Sequence, residues 1–386
     1  MTLREYIEQE IGERGPIPFS RFMEMCLYGA RVGSDFMPGF YSRAKEQFGK
    51  AGDFYTSSDV HAVFGRLLAR HFEQMWRTLG SPARLDLVEL GPGRGLFVQD
   101  VMDWVEKKFP DFFRALRCAL IETSAGLRAR LEERFQAQIR EGKVQVRETL
   151  EQARPQGDFI IFANEFFDAL PVEVVTDQGE LRVGVHDGHF VERFAAPSAQ
   201  ILEYLDRYSV HPEAGERVEA PLVARDYVRR INAVLPQQGR GFLVFIDYGY
   251  TRDEQLAGRH RGTVTAFRQH SISDSPYEAP GEQDITAHVN FTALSAAAQA
   301  AGLAPLALVT QAQFLMGIGE ATQFADAFED CRLPQEHAKV ALQLKHLATP
   351  AGMGETFQVL VLGKGVKKEE AAQLSGLKFA RDQRIS

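Results

Sequence analysis

The chain has 386 residues, 45% hydrophobic and 25% charged, the make-up of an ordinary globular protein that can bury a sizeable core. Lys and Arg number 44 against 52 Asp and Glu, and the resulting net charge of −8 speaks against bulk nucleic-acid binding. Cys26, Cys118 and Cys331 are too few and too scattered for a disulfide framework or a thiolate metal site, and no run reaches the ~18 apolar residues of a membrane span.

The start, Met1 to Tyr6, has an acid and lacks both the apolar stretch of a signal peptide and the acid-poor character of a transit peptide. A cytoplasmic protein is expected. Leu3, Ile7 and Ile11, four apart, predict an amphipathic helix, and Phe22 to Tyr28 a second one. Residues 29–59 read as loops, and Val63, Phe64, Leu67, Leu68, Phe72 and Met75 give a helix over Val60–Leu79 its apolar side. These elements make residues 1–80 an N-terminal helical region.

From Arg84 the pattern changes to short, almost wholly apolar runs alternating with helices. The runs are Leu85–Leu90, Cys118–Glu122, Val144–Val146, Phe159–Asn164 and Phe242–Asp247, followed by Leu303–Val309 and Phe357–Leu362. Strands apolar on both faces and separated by helices predict a parallel sheet covered on both sides, an α/β fold. A core over residues 81–365 is expected, with insertions at about 172–236 and 311–350 after strands four and six. Residues 366–386 read as a charged tail that frays or docks weakly. His186-Asp187-Gly188-His189 has a metal-like look, but Asp187-Gly188 between alternating apolar runs is a hairpin turn signal. No metal site is expected.

The sharpest feature is Glu89-Leu90-Gly91-Pro92-Gly93-Arg94-Gly95, which follows a strand and opens a helix. Glycines let the chain turn tightly and let a ligand approach the backbone. A dinucleotide fingerprint needs a small residue at position 96, which is Leu96. The form seen here, with an acid two residues before the first glycine, resembles that of class I S-adenosylmethionine methyltransferases. Glu89, Gly91, Gly93 and Gly95 are therefore candidate cofactor residues. Glu122, ending the second strand, stands where Rossmann-like folds place an acid on ribose hydroxyls.

Four segments extend this likeness. With the glycine loop, Asn164-Glu165-Phe166-Phe167-Asp168-Ala169-Leu170-Pro171-Val172, Ile246-Asp247-Tyr248-Gly249-Tyr250 and Asp284-Ile285-Thr286-Ala287-His288-Val289-Asn290-Phe291 resemble the MidA-like family. Gly52-Asp53-Phe54-Tyr55-Thr56-Ser57 matches its N-terminal loop. Mitochondrial members of that family are complex I assembly arginine methyltransferases. The resemblance implies a Rossmann-like, seven-stranded class I methyltransferase sheet with helices on both faces, S-adenosyl-L-methionine as cofactor, and methylation of a protein arginine. It also implies a respiratory complex subunit as partner. A homodimer is left open.

Methyl transfer is an in-line displacement that needs nucleophile, methyl carbon and sulfur held in line. Ligands of such sheets sit beyond the carboxyl ends of the strands near the order reversal. Glu165, Asp168 and Asn164 are thus candidate catalytic residues, since carboxylates can orient a guanidinium and accept a proton. The alternative for Asn164 and Asp168 is capping of a helix start. Asp247, Tyr248 and His288 are candidate substrate-binding residues. The loop 251–290 is long enough to act as a lid. Two other functions compete: methylation of a small molecule or RNA, and an assembly factor that binds the cofactor but works by holding a partner.

Overall fold

The computed structural model describes residues 1–33, 35–43, 62–268, 271–273, 275–349 and 352–380. The chain divides into two compact units. The larger comprises Thr56–Phe166, Arg229–Tyr248 and Ser295–Ser386. The other comprises Met1–Tyr55, Phe167–Val228 and Gly249–Leu294.

The larger unit is built on the expected sheet. Its strands are β1 (Leu85–Leu90), β2 (Leu116–Ile121), β3 (Val144–Arg147), β4 (Asp158–Asn164), β5 (Gly241–Tyr250), β6 (Ala304–Thr310) and β7 (Phe357–Lys364). They lie in the order β6-β7-β5-β4-β1-β2-β3. All neighbours pair parallel except β7, which runs antiparallel to both β5 and β6. Strand order reverses between β1 and β4, which opens a crevice beyond their carboxyl ends. Every residue of β1 is buried, as the unbroken apolar run requires once helices cover both faces.

The helix Ala62–Thr78 packs in this unit through Val63, Phe64, Leu67, Leu68, Phe72 and Met75. Phe72 meets Phe162 of β4 edge-on, and Phe97 stacks on Phe162 at 4.2 Å. Gly65 lets this helix approach its neighbour, since a Cβ there would lie 2.6 Å from the Asp100 Cβ. Full burial of each such side chain contributes about 1.5–3 kcal/mol.

The second unit joins three stretches far apart in the chain. Ile7, Phe19, Phe22 and Met23 share one core with Val172, Val174, Leu181, Val183 and Ile285. A five-stranded antiparallel sheet contributes to it, ordered Ile17–Pro18, Gly179–His186, Glu173–Thr176, Arg217–Ala220, with His189–Ala195 also on Gly179–His186. The hairpin at Asp187-Gly188 forms as expected, with φ of 49° and 73° at the two turn residues.

Three expectations are corrected. Residues 1–80 are not one region: Leu3–Arg14 and Phe19–Tyr28 bury their apolar faces on strands of the predicted insertion, whereas Ala62–Thr78 belongs to the sheet unit. Segment 251–290 is not a bare loop, because it carries a short helix and a three-stranded sheet of Thr265–Arg268, Ser271–Ser273 and Asp284–Thr286. The charged tail docks firmly through residue 380: Val366, Ala371, Leu374 and Leu377 are buried in the sheet unit's core. There Gln74 Oε1 accepts from both the backbone and the hydroxyl of Ser375. The segment Gly52–Ser57 lies outside the described residues.

Candidate cofactor site and acceptor residues

At the end of β1 the chain turns through Gly91, Gly93 and Gly95, with φ of 64°, 52° and 72°. All three occupy the left-handed region, where a Cβ is costly. The turn is pinned at both ends. Gly91 N–H donates to the Ile121 carbonyl at 3.0 Å, and Gly95 N–H to the Pro92 carbonyl at 2.8 Å. The outer glycines also make room for neighbours. A Cβ on Gly91 would meet the Phe166 ring at 3.0 Å, and one on Gly95 would meet Leu131 and Phe135 at 2.6 and 2.8 Å. Packing therefore explains Gly91 and Gly95 in part.

Glu122 closes the next strand beside this loop. Its carboxylate accepts from the Ser124 N–H at 2.8 Å and from backbone N–H groups of Thr123 and Gly93. Burial pushes its pKa up to about 7 against these hydrogen bonds and the nearby Arg128. Ser124 in turn caps the helix Ala125–Arg134, its hydroxyl accepting from Leu127 N–H. The Ser124 role was readable as a hydroxyl residue just before a helix, and was missed. Glu89 is more enclosed. It is 5% exposed, its Oε2 has no hydrogen-bond partner among the described residues, and burial raises its pKa to about 8.

The ends of β4 and β5 carry the expected acceptor residues. Asn164 Nδ2 donates to Glu165 Oε1 at 3.0 Å, and Glu165 sits at φ 50°, an uncommon region for a side-chain-bearing residue. Residues 165–170 form turns and no helix. Capping of a helix start by Asn164 or Asp168 therefore drops out. Asp247 is fully buried, with both oxygens accepting backbone N–H groups, from Phe166 at 3.2 Å and Tyr248 at 2.9 Å. This carboxylate ties two strand ends together. Tyr248 stands its ring edge-on to Phe357 at 5.5 Å.

Asn164, Glu165, Asp247 and Tyr248 thus share a unit with the glycine loop and Glu122, whereas Asp168 and His288 belong to the other. There Asp168 is buried, with its charge felt at the Tyr41 hydroxyl, which donates to Asp284 at 2.8 Å. His288 Nδ1 contacts His260 Nδ1 at 3.2 Å, and burial with the His260 ring lowers its pKa to about 4. Phe166, the ring against Gly91, was quoted in a motif but given no role by sequence reasoning.

A family described as "Putative S-adenosyl-L-methionine-dependent methyltransferase" matches residues 67–309 of the chain. The chain belongs to this family. Its cofactor is S-adenosyl-L-methionine, and the methyltransferase has residues that suit it: the glycine turn, the Glu122 carboxylate, and in Glu89 a buried oxygen with no hydrogen-bond partner among the described residues. A Drosophila melanogaster relative named protein arginine methyltransferase NDUFAF7 homolog, mitochondrial, is 28% identical, spanning 95% of this chain and 85% of its own. The Homo sapiens protein of that name is 27% identical, over 92% and 82%. Among solved structures, a COG1565 superfamily member from Burkholderia thailandensis, bound to S-adenosyl-homocysteine, superposes with TM-score 0.81. It is 28% identical and covers 98% of this methyltransferase and 95% of the other chain.

The expectation of a cytoplasmic protein is overturned by these relatives, which are named mitochondrial proteins. Composition and the first six residues carried that expectation, and neither encodes a compartment. Among the described residues, no helix of the methyltransferase is long and apolar enough to cross a membrane.

Proposed function

We propose that this methyltransferase acts on an arginine side chain of a protein, a respiratory complex subunit, and so takes part in assembly of that complex. The names of its relatives support a protein arginine as acceptor. The observation that carries the chemistry is the Asn164–Glu165 pair at the end of β4, in the same unit as the cofactor loop. The cofactor supplies an electrophilic methyl group on a sulfonium. The glycine turn receives it, and Glu122 offers a carboxylate to its hydroxyls. Glu165, one oxygen of which accepts from the Asn164 amide, orients an incoming guanidinium by charge-assisted hydrogen bonding. The same carboxylate can take up the proton released on transfer.

Transfer of labelled methyl groups in an extract containing respiratory complexes tests the reading. Label recovered on an arginine of a complex subunit is the expected result. Label on RNA or a small molecule, or a bound but unmodified partner, overturns it. Sedimentation of the same preparation reads whether the enzyme is a homodimer.

A further inference from the structure

At the edge of the sheet unit, beside β3, lies a groove of about 700 Å³. Its lining includes Arg84, Arg117, Arg140, Lys143 and Arg147 against the single acid Glu132. Arg84 is paired with Asp86. The other four cations make no ion pair among the described residues. Arg117 donates to the carbonyls of Arg114 and Leu116, Lys143 to those of Phe113 and Arg114, and Arg147 to that of Val146. Arg140 reaches only the Gln136 carbonyl and side-chain amide. Burial, together with the like charge of Arg117, holds Lys143 below the ordinary lysine range. The floor between the cations is apolar, from Ile139, Val144 and Val146. Four like charges gathered on a chain of net charge −8 repel one another, with Glu141 and Glu106 acting against this at Lys143, and an anion joining them relieves the repulsion.

We infer that this groove docks an acidic segment of a protein partner, with carboxylates on Arg117, Arg140, Lys143 and Arg147 and an apolar side chain on the floor. A polypeptide suits it better than a nucleic acid. Nucleic-acid charge continues at every ~1.7 Å of duplex and would run on beyond the four cations over a chain of net charge −8, whereas an acidic stretch of peptide ends where the cations end. A guanidinium acceptor is excluded from a groove of this sign, so the segment is a second point of attachment, separate from the methylated arginine. That last point rests on the arginine reading above, but docking itself does not.

Anisotropy with a fluorescein-labelled octaglutamate peptide, on the full chain, tests it without any methyl transfer. Octaglutamine and a single-stranded dT octamer serve as comparison probes. The wild type should bind octaglutamate, and Arg117→Gln with Arg140→Gln should weaken it at least tenfold. Both substitutions are remote from the glycine loop, so calorimetric affinity for S-adenosylmethionine should stay within twofold and certify the fold. Equal octaglutamate binding by wild type and variant overturns the proposal, as does no binding by either. Binding of the dT octamer as tight as that of the peptide, through the same two arginines, assigns the groove to nucleic acid instead.

Discussion

The Asp247 carboxylate holds the backbone of Phe166, accepting its N–H at 3.2 Å from the neighbouring strand end. The Phe166 ring is what a Cβ on Gly91 would strike, so one buried acid sets the residue that roofs the cofactor turn. Hydrogen bonds to a charged group contribute about 1.5–3 kcal/mol each. Asp247→Ala removes two and should lower stability by about 3 kcal/mol, with weaker S-adenosylmethionine binding. Asp247→Asn, which keeps one acceptor oxygen, should lose less. An alanine variant with an unchanged denaturation midpoint would contradict this account.

Cofactor affinity should depend on pH through Glu122. Hydroxyl donors favour the ionised carboxylate, and its pKa in the protein is about 7. Below that value a proton must leave before binding, so Kd should rise on acidification, by up to tenfold per pH unit. Glu122→Gln should bind weakly with a flat profile. Calorimetry between pH 5.5 and 8 decides, and a flat wild-type curve would refute the role of Glu122.

Glu89 predicts a pH effect on stability of its own. Its folded pKa of about 8 lies above the ordinary 4.5. The folded protein therefore holds a proton that the unfolded chain has released between those values. The contribution is complete below about pH 4.5 and falls by about 1.4 kcal/mol per unit until pH passes 8. Glu89→Gln keeps an uncharged group of the same shape and should flatten that part of the profile. Urea unfolding across this range measures it; the same slope in both proteins would exclude Glu89 as its source.

The three glycines should separate by function. Gly95→Ala forces a Cβ against Leu131 and Phe135 at a left-handed backbone, and should cost about 1–2 kcal/mol or more of stability. Gly93→Val should chiefly abolish S-adenosylmethionine binding. A valine variant that binds normally would remove Gly93 from the site.

Glu165→Gln keeps shape and loses charge. Cofactor affinity should barely change, while methyl transfer falls by about 10²-fold or more. Full activity would discard the catalytic role, and a collapsed melting temperature would make the residue structural.

The sheet was legible because each of its strands is a short apolar run bounded by glycine or polar residues, and such runs fit only a two-sided interior. The places of Glu122 and the glycine loop at strand ends were legible from the same runs. The second unit was not. Phe19 and Phe22 share a core with Val172 and Val174, partners about 150 residues away, and local periodicity carries no information about such a distance. The backbone bonds of Asp247 were hidden for a related reason. An acid at a strand end looks the same in sequence whether it meets a ligand or, as here, the Phe166 N–H. Charges around Leu374 and Leu377 likewise hid a docked segment inside an apparently frayed tail.

The antiparallel β7, wedged between β5 and β6, sets the order in which the sheet is completed. During synthesis β6 emerges with no sheet neighbour, since it pairs with β7 alone. Until residue 364 leaves the ribosome, one side of β5 also stands open as a strand edge. At synthesis rates of about 5–20 residues per second, the stretch from the end of β5 to the end of β7 leaves that edge bare for roughly 6–20 seconds, a window in which a nascent-chain chaperone has something to protect.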